Sequence, residues 1–196
     1  MTHLVSLADA LGPIRDVYAH LLTPAAAWRD GARVKRAHQT DLDHFALICV
    51  AADRGFARTV TPTRWTRTAV YVVLRCAIPN WCSLHRCLWP VELPEVMWDW
   101  FDFLAETGRL DAASDPLAEL RKPLQCYGGL DGQGRPRPDG APREIPCECF
   151  LPYRETAELL NRLGMQCEQR GRYFLDVLRA FVGDDVEGSP DDDSPW

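Results

Sequence analysis

Over residues 94–108 the chain reads PEVMWDWFDFLAETG, where Val96, Met97, Trp98, Trp100, Phe101, Phe103 and Leu104 leave only Glu95, Asp99, Asp102 and Glu106 polar before the closing Thr-Gly pair. A helix apolar around most of its circumference belongs at the centre of a core, and Gly108 supplies its stop. Other segments repeat the helical period more faintly. Residues 6–22 carry Leu7, Leu11, Ile14, Tyr18, Leu21 and Leu22 at helical spacing, broken by Gly12 and Pro13, which predicts two short helices or one kinked helix. Thr23 and Pro24 read as a cap followed by a first-turn proline, opening a polar, basic helix over residues 25–38. Thr40 caps DLDHFALICVAADR, with Asp43 in the position of a capping-box acid and Gly55 as the stop.

Thr61 and Pro62 repeat the cap-and-proline signal ahead of TRWTRTAVYVVLRCAI. The β-branched run at residues 70–73 also suits a strand, and the cap favours a helix that Pro79 ends. Asp115 and Pro116 are expected to open a helix that stops near Pro123. After residue 151, Pro152 opens YRETAELLNRLG, and a last stripe of Tyr173, Phe174, Val177, Leu178 and Phe181 predicts a closing helix over residues 171–182. The pattern therefore predicts a mainly α protein, a single bundle of about six to eight helices. No internal repeat appears.

One stretch departs from this pattern. Over residues 126–149, Gly128, Gly129, Gly132, Gly134, Pro136, Pro138, Gly140, Pro142 and Pro146 forbid a regular helix and predict a β-hairpin-like excursion spanning residues 124–151. Cys126 opens it and Cys147 and Cys149 close it; one residue apart on an extended strand, the last two point to the same side. If the arms return side by side, three soft ligands meet, and a tetrahedral zinc wants four. Cys82, His85 and Cys87, clustered in WCSLHRC, are the candidate fourth ligands, with Cys167 further on. No CxxC occurs, so the plainer expectation for the eight cysteines is burial as small hydrophobes, with one structural zinc as the sharper alternative.

Charge is distributed unevenly. Residues 1–80 carry a balance of +4, residues 81–183 a balance of −4, and residues 184–196 the remaining −6. That last segment, mixed acid with Gly, Ser and Pro, is expected to be a disordered tail following one domain over residues 1–183. The body without it is neutral, which argues against broad nucleic-acid binding as the main activity. Apolar runs such as FALICVAA are far shorter than a membrane span requires. The first residues, MTHLVSLADALGP, lack a basic region ahead of the apolar segment, so a cytoplasmic location with reduced thiols is expected.

No phosphate-binding loop, nucleophile elbow, HExxH or kinase motif occurs. Asp43 and His44 are adjacent on a helix and so do not face one another as base and orienter. Asp99, Asp102 and Glu106 read as the polar stripe of a greasy helix. These absences favour a non-enzymatic interaction or regulatory protein with a protein partner, its working surface the segment of residues 81–89 together with the excursion. Two alternatives remain open. One is a DNA-binding regulator using Arg33, Lys35, Arg36, Arg64 and Arg67 on phosphates, with Trp65 interleaved among them; the other is a thiol enzyme with a cysteine near His85.

Overall fold

The computed structural model describes residues 4–31, 42–54, 61–126 and 128–138. Seven α-helices run through them: α1 (Leu7–Arg15), α2 (Ala19–Gly31), α3 (Leu42–Arg54), α4 (Arg67–Val72), α5 (Ile78–His85), α6 (Leu93–Glu106) and α7 (Leu117–Cys126). The protein is mainly helical, with no strand among the described residues, only isolated bridges at Thr61 with Arg64 and Leu130 with Pro136. The expected helices at 153–164 and 171–182, the acidic tail and the return arm of the excursion lie outside the described residues, as do the Thr40 cap and the Gly55 stop.

Helix α6 is the packing centre that its composition predicts. Trp98, Trp100, Phe101, Phe103, Met97 and Leu104 are all buried. Phe45 of α3 meets Trp100 with ring centroids 5.3 Å apart, Trp65 meets Phe101 edge-on at 5.3 Å, and Trp28 of α2 meets Phe103 at 6.0 Å. Such tilted and edge-to-face contacts suit the ring quadrupoles while burying large apolar areas. The carbonyl of Pro62 accepts two buried indole N–H groups, from Trp65 at 2.8 Å and Trp100 at 3.0 Å. Its two lone pairs satisfy both donors, which would otherwise carry a desolvation cost.

The acids of α6 tie helices together. Asp102 pairs with Arg121 of α7, whose guanidinium also lies 4.5 Å from the centre of the Trp98 ring. Glu106 accepts the Trp28 indole N–H at 2.8 Å. On α3, Asp43 is buried and pairs with Arg15 of α1, so it holds two helices together.

Prolines correct the expected boundaries. The break between α1 and α2 falls at residues 16–18 and not at Gly12 and Pro13, and Pro24 lies inside α2. Pro62 sits in a turn whose Arg64 N–H bonds the Thr61 carbonyl at 3.1 Å. Helix α4 starts later, where Thr66 Oγ1 accepts the Ala69 N–H at 3.1 Å. Pro79 does not end the helix; a π turn at Val73–Ala77 carries α4 into α5. Proline offers no N–H and crowds the carbonyl four residues back. The wider turn, with the Ile78 N–H bonded to the Val73 carbonyl five residues back, accommodates that loss. Pro123 likewise lies within α7.

Beyond α7 the chain doubles back over residues 129–137. Asp131 Oδ1 accepts the N–H groups of Gln133 at 2.8 Å and Arg135 at 2.9 Å, and the Arg137 N–H bonds the Gly129 carbonyl at 3.0 Å. This turn lies within the predicted excursion, although Cys147 and Cys149 fall outside the described residues. No helix among the described residues is long and apolar enough to cross a membrane.

Candidate functional site

Helix α5 ends because Arg86 takes the left-handed conformation, φ 55° and ψ 41°. For a residue with a Cβ this costs roughly 1–2 kcal/mol. The Cys87 N–H bonds the Cys82 carbonyl at 3.0 Å, and the Arg86 N–H bonds the Ser83 carbonyl at 3.3 Å. These two bonds are the 6→1 and 5→2 pair of a Schellman motif, in which the side chains of the first and last residues meet. Here those residues are Cys82 and Cys87. Both are buried free thiols, 3 % and 7 % exposed.

The two side chains lie together, the Cys87 thiol donating to the Cys82 carbonyl oxygen at 3.7 Å. The contact splits their acidities. Cys82 is driven well above the ordinary thiol range, chiefly by its hydrogen bond to Cys87 and further by burial. Cys87 is drawn below it, chiefly because that hydrogen bond from Cys82 stabilises its thiolate.

His85 has a different set of neighbours. Its ring stacks on Trp81 at 4.1 Å, 18° from parallel, and its Nδ1 lies 2.9 Å from the Trp81 carbonyl oxygen. Among the described residues no three or more His, Cys, Asp or Glu side chains gather as a metal-binding group. Of the sequence's candidate ligands, then, Cys82 and Cys87 come together, and His85 does not complete a group with them. Cys126 stands half-buried at the end of α7. Cys147 and Cys149 lie outside the described residues.

Several large apolar side chains near the thiol pair are exposed. Leu84, Leu88, Trp89 and Val91 are 52 %, 59 %, 46 % and 85 % exposed. The Val5 N–H bonds the Arg86 carbonyl at 2.9 Å, bringing exposed Leu4 and Val5 to the same end. Sequence reasoning singled out the WCSLHRCLWP stretch but not Leu4, Val5 or Val91, since no local pattern ties residues 4 and 5 to residue 86.

Of the residues proposed for DNA, Trp65 is fully buried and offers no face for a base to stack on. The Arg67 guanidinium bonds Glu119 at 3.2 Å, a carboxylate that Lys122 also holds at 2.5 Å. Arg64 is exposed. Arg33, Lys35 and Arg36 lie outside the described residues.

No family model, curated protein or solved structure matches this chain.

Proposed function

We propose that this protein is a non-enzymatic cytoplasmic interaction protein with a regulatory role, and that its working surface is the end of α5 with the segment that follows it, residues 81–91. The observation that carries this reading is the set of exposed apolar side chains there. Leu84, Leu88, Trp89 and Val91 follow one another around a helix end, with Leu4 and Val5 beside them. Single exposed apolar residues are ordinary, whereas several gathered at one helix end suit a contact surface. Exposed Arg86 sits within it. The partner it suits is a protein presenting apolar side chains.

A photo-reactive phenylalanine derivative placed at Leu88, with the same derivative at Val17 as control, tests this in cells. Val17 is 64 % exposed and belongs to the turn between α1 and α2. A discrete adduct with another protein from position 88, missing from position 17, is the expected result. No adduct, the same adducts from both positions, or only self-adducts would overturn the reading.

Cys126, Cys147 and Cys149, with a fourth donor, hold one structural zinc in this reading. Its support is the chemistry of three thiols bracketing a turn-rich excursion. Elemental analysis of reduced protein is expected to find about one zinc per chain, and a content below about 0.1 rules it out.

A further inference from the structure

The end of α5 holds two thiols that the proposed partner surface does not require. The 6→1 hydrogen bond of 3.0 Å between the Cys87 N–H and the Cys82 carbonyl limits the separation of their Cα atoms. With ordinary backbone dimensions that separation is at most about 7 Å, at the edge of the range that disulfides span. The side chains converge as well, the Cys87 thiol reaching the Cys82 carbonyl oxygen at 3.7 Å. Four residues lie between them, and the left-handed Arg86 turns the chain back so that both face the same space.

We infer that Cys82 and Cys87 are a redox-modified pair, closing a reversible disulfide across the end of α5 by exchange with a low-molecular-weight disulfide such as oxidised glutathione. Cys87, beyond the last helical turn and next to exposed Leu88, is the attacking sulfur. Its thiolate bonds to one sulfur of oxidised glutathione, the glutathione S–S bond breaks, and one glutathione thiolate leaves with the electron pair. Cys82 then gives up its proton and attacks Cys87 Sγ, forming the internal disulfide and expelling the second glutathione thiolate. The protein loses two electrons and two protons, and one oxidised glutathione becomes two reduced molecules. The inference stands on the thiol geometry and does not depend on the proposed partner.

The full chain, equilibrated at pH 7.5 over a series of reduced-to-oxidised glutathione ratios, is trapped by alkylation and digested with trypsin. Cleavage after Arg75 and Arg86 puts the two cysteines on different peptides, CAIPNWCSLHR and the one beginning at Cys87. A disulfide between Cys82 and Cys87 therefore appears as a linked pair that reduction separates, and fragmentation distinguishes Cys82 from Cys76. The expected result is this linkage at least tenfold above any other pair, rising with the oxidised fraction and reversed by reduced glutathione. In C82S the mixed glutathione disulfide is expected to accumulate on Cys87. Both cysteines alkylated at every ratio, linkage to Cys76 or Cys126 instead, or a mixed disulfide that persists in the unsubstituted protein would overturn the inference. Circular dichroism of C82S, matched to the parent, separates loss of fold from loss of exchange.

Discussion

Gly134 lies against the face of Trp98: a Cβ built on it would stand 2.6 Å from the indole Cδ2. Its φ of +74° is also one that side-chain-bearing residues rarely adopt. The turn at residues 129–137 is thus seated on the central helix at a point where only a hydrogen fits. G134A is expected to destabilise the protein by about 1–3 kcal/mol, read from the midpoint of urea unfolding. W98A should cost about 3–5 kcal/mol, and the double variant less than the two losses together, because removing the indole relieves the clash. Strict additivity would contradict this seating.

The carboxylate of Asp115, in the segment before α7, accepts the Arg67 N–H at 2.7 Å and so satisfies a free donor at the start of α4. Asp115 also bonds the Trp65 carbonyl through its own N–H at 2.8 Å. D115A is expected to cost about 1 kcal/mol, and D115N, which keeps an acceptor oxygen, less. Equal losses in the two variants, measured by thermal unfolding, would count against a capping role.

Asp43 is buried on α3 and faces Arg15 of α1. D43A leaves α1 without its charged tie to the core helix and should destabilise by about 2 kcal/mol. Because Arg15 is partly exposed, R15A is expected to cost less than D43A. Urea midpoints of the two variants test the order.

Glu119 sits below the ordinary carboxylate value of 4.5, first because Lys122 hydrogen-bonds it and then through the charges of Lys122 and Arg67. A carboxyl whose folded value lies below its unfolded one supports folding at pH above about 4.5 and loses that support as pH falls through the folded value. The Glu119 carboxyl resonance in NMR should titrate with a midpoint under 4.5, moving up in K122A. An unmoved midpoint would deny the pairing.

Cys49, buried in α3, has its thiol proton held more tightly by burial and by the nearby charge of Asp53. At pH 8 it is expected to stay unmodified by a thiol reagent in the native protein and to react only on unfolding. Peptide mapping after brief labelling gives the answer.

Much of the architecture was legible because it rests on composition over a whole helix. The apolar circumference of residues 94–106 leaves a lone helix nowhere to go but the core, and the solid run from Phe45 to Ala52, all buried, does the same for α3. Of the site, Cys82 and Cys87 were visible as a cluster, but their contact was not. It needs a left-handed residue at position 86, and arginine gives no such signal where glycine would.

The sequence by itself determined that the described residues are mainly helical and which helix lies at their centre, since hydrophobic periodicity acts over a few neighbours. Tertiary structure alone decided where the helices begin and end. Pro13, Pro24, Pro79 and Pro123 all lie inside helical segments. An interior proline costs about 3 kcal/mol, and burial of neighbours such as Leu21, Leu22, Ile78 and Leu124 is large enough to offset it. The residues that close the structure, Asp115 on Arg67 and Arg121 on Asp102 and Trp98, meet across distances in sequence that no local pattern encodes. They are chosen only when the packed helices bring them within reach.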